Sequence, residues 1–160
     1  MTQTEYIGAV ERNNHRLFLI ALSLLGNRTD AEDALQDVFL KLWRYAKPFE
    51  NDEHTDKFLT RVCINVCKNM LRSPFRKRCT DLEDAQSLYT FDNTNDYDLF
   101  CAVWSLPVKE RTVVHLFYYE DLSVREIADD LHMTESAVKT ALHRARTRLK
   151  NCLKEEDTNE

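Results

Sequence analysis

The sequence predicts an all-α protein made of two small helical domains, residues 1–78 and 101–160, joined by an acidic linker, residues 79–100. Three observations lead there. Only two glycines and three prolines interrupt 160 residues, of which 43% are hydrophobic and 31% charged, a composition of helices rather than of strands and tight turns. Apolar residues recur at three- and four-residue spacings on both sides of the middle segment. That segment, "CTDLEDAQSLYTFDNTNDYDLF", holds six acidic residues, no basic one and no sustained helical period, and so reads as a linker. Each flanking lobe is close to the smallest size at which a domain folds alone.

In the first lobe, Ile7, Val10, Leu17, Phe18, Ala21, Leu24 and Leu25 predict a long helix that ends at Gly26, a C-capping residue. "NRTDAEDALQDVFLKLWRYAK" then reads as a second helix, with Thr29 as N-cap and Glu32 completing a capping box. Its apolar stripe is Ala31, Leu35, Val38, Phe39, Leu42, Trp43 and Ala46, leaving Asp33, Gln36, Asp37 and Lys41 off the stripe. A third helix follows Pro48, with Phe58, Leu59, Val62, Cys63, Val66, Cys67, Met70 and Leu71 as its core face.

In the second lobe, "LPVKERTVVHLFYYEDLS" places Pro107 at the first turn of a helix that turns Val113, Val114 and Phe117 inward. Ser123 caps a short helix, with Glu126 completing a capping box and Ile127, Ala128 and Leu131 apolar. His132-Met133 forms the turn, and Thr134 caps a further helix buried through Val138, Leu142, Ala145 and Leu149. Two short helices joined by a tight turn, the second of them basic, make the C-terminal domain a helix-turn-helix.

The formal net charge of −5 argues, as an average, against a nucleic-acid partner, but binding needs only a local basic stripe. Residues 1–78 hold 13 basic and 10 acidic residues, residues 79–100 none and six, and residues 101–160 nine and 11. Arg61 to Arg78 carries six basic residues and no acidic one; Thr134 to Lys154 carries six against the single Glu135. On the third helix Arg61, Asn65, Lys68 and Arg72, with Asn69 alongside, form a face of amides and cations that suits phosphates and base edges. On the last helix Ser136, Lys139, Thr140 and His143 face a major groove, with Arg144, Arg146, Arg148 and Lys150 near phosphates. Solvated helix faces and a plain helical hairpin are the bland alternatives, and the pairing of two basic helices in separate lobes weighs against them.

Other classes find little support. Leu17 to Leu25 falls short of the roughly 20 apolar residues that span a membrane, so no membrane insertion is expected. The N-terminus lacks a basic segment leading into an apolar one, and five irregularly spaced cysteines make no disulfide framework, so the expected location is cytoplasmic and reducing. Cys63 and Cys67 lie one turn apart on the apolar stripe with no zinc-like partner, so no metal site and no cofactor is expected. His15, His54 and His115 are scattered, and with no glycine-rich loop or ligand cluster no enzyme is expected.

The strings "DAEDALQDVFLKLWR", "FLTRVCINVCKNMLR" and "LPVKER…LSVREIADDL…VKTALHRARTRL", in that order over nearly the whole chain, resemble the extracytoplasmic-function (ECF) group of bacterial RNA polymerase sigma factors. The resemblance implies a sigma factor that directs promoter-specific initiation, with core RNA polymerase (its clamp helices and β flap) and promoter DNA as partners, and it allows an anti-sigma factor as another. The first lobe then corresponds to region 2, which binds the polymerase and opens the minus-ten element, and the second to region 4, which reads the minus-thirty-five element. By position, Asp33, Gln36, Asp37 and Phe39 fall in the core-binding helix, Arg61, Asn65, Asn69 and Arg72 in the minus-ten helix, and Pro48 to Thr55 in the specificity loop. Lys139, Thr140, His143, Arg144 and Arg146 fall in the recognition helix. Three positions depart from the pattern. His132 stands where glycine is usual in the turn, Ala141 where a polar or basic contact is common, and Phe58 where tryptophan is frequent. A one-component helix-turn-helix regulator acting without polymerase is the rival reading; it leaves the first lobe's basic stripe unexplained.

Overall fold

The protein is described by a computed structural model covering residues 1–73 and 94–157, with side chains described as far as Ser73 and from Asp98 to Lys154. Arg76, Lys77, Arg78 and the greater part of the acidic segment lie outside the described residues. Met1–Asp81 and Leu82–Glu160 form two compact units. Among the described residues there are seven helices and no strand: α1 (Gln3–Leu25), α2 (Arg28–Arg44) and α3 (Asp52–Leu71) in the first unit, then α4 (Thr94–Ser105), α5 (Val108–Tyr118), α6 (Val124–Leu131) and α7 (Glu135–Asp157) in the second.

In the first unit the three helices pack mutually. Leu17, Ile20 and Leu22 from α1, Val38 and Leu42 from α2, and Leu59, Cys63 and Ile64 from α3 are fully buried. Each buried Leu or Ile contributes on the order of 1.5–3 kcal/mol relative to an exposed one. Ile64, not on the expected core face, is thus a central core residue. α1 begins with a capping box in which Glu5 accepts from the Thr2 backbone N–H at 2.6 Å, and that hydrogen bond holds the Glu5 carboxyl below its ordinary pKa. It ends at Gly26, whose φ of 79° places it in the left-handed region, as the sequence expects.

The cap of α2 differs from the expectation. Asn27, not Thr29, is the N-cap: its Oδ1 accepts from Asp30 N at 2.8 Å and its Nδ2 donates to Asp30 Oδ2 at 2.9 Å. Asn27 has extended backbone (φ −147°, ψ 155°), which a cap requires, whereas Thr29 is already helical. Trp43 also departs from the expected apolar stripe and is 56% exposed, with its ring edge-on to Tyr6 at 5.1 Å. Ala46 lies exposed beyond the helix end.

One buried polar node joins α1 to α3. Asn13, 1% exposed, donates through Nδ2 to the Ala9 carbonyl at 2.9 Å and to Asp56 Oδ1 at 2.7 Å. Its Oδ1 accepts from Arg16 Nη2 at 2.6 Å, and Arg16 Nη1 donates to Thr60 Oγ1 at 2.9 Å. The Thr60 hydroxyl donates in turn to the Asp56 carbonyl at 3.0 Å.

In the second unit α7 packs against α4, α5 and α6. Helix α4 starts at Thr94, within the stretch whose irregular spacing reads as linker; Ala102, Trp104 and Leu106 carry its end into the core. Arg111 is buried, with its guanidinium 4.5 Å over the Trp104 ring and Nη1 donating to the Trp104 carbonyl at 2.8 Å. Pro107 serves as the N-cap position of α5, one residue earlier than a first-turn placement. The Ser123–Glu126 capping box of α6 is present as expected.

The corrected cap of α2 is testable by urea unfolding followed by circular dichroism. Asn27→Ala is expected to cost the first unit about 1 kcal/mol, and Thr29→Ala only a few tenths. Equal losses would restore Thr29 as the cap.

Candidate nucleic-acid interface

The turn between α6 and α7 sets the geometry of the second unit. His132 adopts φ 54°, ψ 48°, the left-handed conformation that a glycine would enter without a side-chain penalty. The chain closes there through Met133 N donating to the Ala128 carbonyl at 2.8 Å. Thr134 Oγ1 then accepts from Ala137 N at 3.1 Å, capping α7 as the sequence expects.

On α7, Val138, Ala141, Leu142 and Ala145 are buried, while Ser136, Lys139, Thr140, His143, Arg144, Arg146 and Arg148 are exposed. Ala141, 5% exposed, sits in the core side of the helix and is therefore not a missing DNA contact; a longer side chain there would have to displace the core. The exposed basic residues fall into two groups. Among the described residues, the side chains of Lys139, His143 and Arg144 form no hydrogen bond or ion pair within the unit. Two arginines are instead tied to α5: Arg146 Nε donates to Tyr118 Oη at 2.8 Å, and Arg148 Nε pairs with the nearly buried Glu110 Oε2 at 3.0 Å. Arg148 is thus engaged inside the unit rather than left to meet phosphates.

In the first unit, Arg61, Asn65, Asn69 and Arg72 line the exposed edge of α3, and Lys68 beside them is half-buried. Partial burial, and after it the charge of Arg72 one turn on, lowers the Lys68 pKa below that of an ordinary lysine. Cys63 and Cys67 face the opposite way, fully buried, with Cys63 Sγ donating to the Leu17 carbonyl at 3.6 Å. They are core thiols.

The loop before α3 is held by rings. Phe58 stands 4.5 Å from Tyr45 and 5.2 Å from Phe49, and Phe49 stacks on Tyr45 at 5.0 Å and meets His54 edge-on at 5.5 Å. Phe58 therefore packs under this loop. Asn51 caps α3 by accepting from His54 N at 2.8 Å. Between the loop and the start of α1 lies a cavity of about 380 Å³, lined by Gly8, Arg12, Phe49, Asn51, Asp52 and Thr55 among others.

On α2, Asp33, Gln36 and Asp37 are exposed on one face, and Phe39 is half-buried with its carbonyl accepting from Tyr6 Oη at 3.3 Å. Two residues missed in the sequence share the exposed side: Leu40, 44% exposed, and Trp43. Leu40 was visible as an apolar residue off the stripe; Trp43 was not, because its spacing also fits the stripe.

Residues 9–78 match the family described as Sigma-70 region 2, and residues 98–149 match Sigma-70, region 4. The chain is 34% identical over 148 residues to the ECF RNA polymerase sigma factor SigM of Mycobacterium tuberculosis, covering 89% of this chain and 74% of that protein. It is 26% identical over 158 residues to the RNA polymerase sigma factor SigV of Bacillus subtilis, covering 98% and 95%. Two solved structures share the fold. One is the sigma factor RpoE in complex with the anti-sigma factor NepR from Bartonella quintana (TM-score 0.64, 20% identity, 95% of this chain and 96% of that one). The other is CnrH in complex with the cytosolic domain of CnrY (TM-score 0.62, 24% identity, 96% and 90%).

The two groups of cations on α7 differ in what their removal does to folding. Arg148→Ala strips the partner from the nearly buried Glu110 and is expected to lower the second unit's stability by roughly 1–2 kcal/mol in urea. Lys139→Ala should leave stability unchanged. A silent Arg148→Ala would return Arg148 to the set of residues available to DNA.

Proposed function

The chain belongs to the ECF group of RNA polymerase sigma factors, and on that footing we propose how its two units share the recognition of a promoter. A sigma factor of this kind acts with core RNA polymerase and directs promoter-specific initiation of transcription. The polymerase carries out nucleotide transfer, and this chain contributes recognition and strand opening rather than catalytic groups. It works in the cytoplasm, where the polymerase is.

The second unit docks on the upstream, minus-thirty-five duplex. Ser136, Lys139, Thr140 and His143 face base edges in the major groove, and Arg144 and Arg146 meet phosphates. The single observation that supports this most is the outward edge of α7, where Lys139 and Arg144 spend no charge inside the unit and His143 stands exposed beside them. The first unit engages the minus-ten element through Arg61, Asn65, Lys68, Asn69 and Arg72. Amides pair with the edge of an unstacked base and cations hold its strand, offsetting a few kcal/mol of lost stacking. Lys68 is partly desolvated by burial, so its ammonium has less hydration left to lose on meeting a phosphate. The loop at Pro48 to Thr55, fixed by its aromatic rings, adds specificity beside the cavity. Asp33, Gln36, Asp37 and Phe39 dock on the polymerase clamp helices, with Leu40 and Trp43 adding an apolar contact to the same face. The region-4 unit meets the β flap, and the acidic segment leads from the first unit into α4 of the second. Because RpoE is seen with an anti-sigma factor, a partner of that kind is extended to this chain as well.

Run-off transcription with core polymerase tests the whole reading: promoter-specific product should appear only when this chain is added. The division of labour has its own test. Lys139→Ala is expected to cost ~1–3 kcal/mol of promoter binding. Asn65→Ala with Asn69→Ala should leave closed-complex binding nearly intact and impair opening. A premelted bubble template should rescue the asparagine variant and not the lysine variant; equal rescue of both would mean the labour is divided otherwise.

A further inference from the structure

Tyr118 lies outside the helix-turn-helix, on the last turn of α5, and nothing in the sequence connects it with DNA. Its hydroxyl accepts the Nε hydrogen of Arg146 at 2.8 Å, and the Arg146 guanidinium carbon stands 5.7 Å from its ring centroid and 5.8 Å from that of Phe117. The two rings meet edge-on at 5.0 Å. Tyr118 is 52% exposed and Arg146 is exposed, so the pair stands at the surface with an ordered cation at its centre.

The pair keeps several donors uncommitted. A phenol oxygen both accepts and donates, and here accepting from Nε leaves its own hydrogen free to donate. The guanidinium has committed one of five N–H groups, so both Nη groups remain. Its partner is neutral, so the positive charge is undiminished, and among the described residues neither side chain forms an ion pair. Arg148, two residues on, shows the contrast: its Nε meets the Glu110 carboxylate at 3.0 Å. Arg146 also shares an edge of α7 with Lys139 and Lys150 at i, i+7 and i+11, a row of exposed cations on the helix that carries the groove-facing residues.

We propose that Tyr118 and Arg146 form a two-donor seat for one phosphodiester of the upstream promoter duplex, the tyrosine hydroxyl and the outer edge of the guanidinium each donating to an oxygen of the same phosphate. The seat rests on the reading of the second unit as the duplex-binding one. It makes Tyr118 a DNA-contacting residue as well as the residue that positions Arg146. Because it reads a phosphate, it contributes equally on all promoters and carries no sequence preference.

The test uses holoenzyme assembled from the full chain and core polymerase, with binding to duplex promoter DNA measured across a salt series for Y118F, R146Q, the double variant and K139A. Y118F is expected to weaken binding about three- to ten-fold, to the same extent on promoters differing in their upstream element. It should leave thermal melting and the salt slope unchanged, since it removes no charge. R146Q should weaken binding at least as much and reduce the salt slope by about one. In the R146Q background Y118F should cost less than it does alone, because without the guanidinium the phosphate is held against the phenol by one donor only. The seat is overturned if Y118F binds like the unaltered protein, or if its loss adds in full to that of R146Q. Should K139A and R146Q also bind normally, the duplex-binding role of the unit falls with it; should they weaken binding while Y118F does not, only the seat falls.

Discussion

A protein with a net charge of −5 that engages a polyanion must confine its useful cations to narrow edges of helices whose other sides are buried. That constraint governs both units. On α3, Leu59, Cys63, Ile64, Val66 and Cys67 are buried in the core and the opposite edge carries Arg61, Asn65, Asn69 and Arg72. On α7, Val138, Ala141, Leu142 and Ala145 are buried, and Lys139, Thr140, His143 and Arg144 stand outward. Carboxylates elsewhere on the chain do little to cancel such edges, because at physiological salt exposed charges farther apart than about 8 Å are largely screened. Net charge therefore sets how weakly the chain holds DNA nonspecifically, while the buried faces decide where specific contact is made.

In the first unit the edge is only as well placed as α3 itself, and apolar packing alone would allow α3 to slide along α1. Asn13 prevents this. Its amide is committed to Ala9 and Asp56, and its oxygen to Arg16, which reaches on to Thr60. Each such bond contributes a net ~0.5–1.5 kcal/mol, but leaving a buried partner unmatched costs more, so one register of the two helices is strongly preferred. The exposed Arg12–Asp52 pair at 2.8 Å sits beside this node and adds little energy, since surface ion pairs are typically worth less than about 1 kcal/mol. The chain from Pro48 enters α3 at Asp52, one turn before Asp56, so the node sits between the start of the helix and the edge that follows it.

What the sequence made legible was local. Gly26, the Ser123–Glu126 box, the Thr134 cap and the strained turn at His132 all depend on residues within one helical turn of each other. Errors arose where two local readings were equally good. Asn27 and Thr29 both precede the α2 stripe, and backbone conformation chose Asn27. Trp43 fits the stripe by spacing, but the stripe's edge is decided by which neighbouring helix covers it, and Tyr6 meets only the edge of the ring. Ala141 stands where the resembled family commonly has a polar or basic residue, and the fold buries it on the core side of α7. The Asn13–Asp56 and Tyr118–Arg146 contacts, 43 and 28 positions apart, were out of reach of any periodicity.

The run "HRARTR" shows how far charge counting can mislead. By sequence Arg144, Arg146 and Arg148 are equivalent phosphate contacts on a basic helix. In the fold they differ by the partner each has: none within the unit for Arg144 among the described residues, a neutral phenol for Arg146, a carboxylate for Arg148. Counterions condensed on DNA are released only by cations that arrive unneutralised, so the salt dependence of binding counts the first two and largely omits the third. Arg148 is better understood as the cation that offsets the nearly buried Glu110 carboxylate, while apolar residues such as Val113, Leu116, Val138 and Leu142 carry the buried core of the unit. The same helix thus divides its arginines between one paired with a carboxylate and others whose charge stays available to a polyanion, and α5, which carries both Tyr118 and Glu110, sets that division.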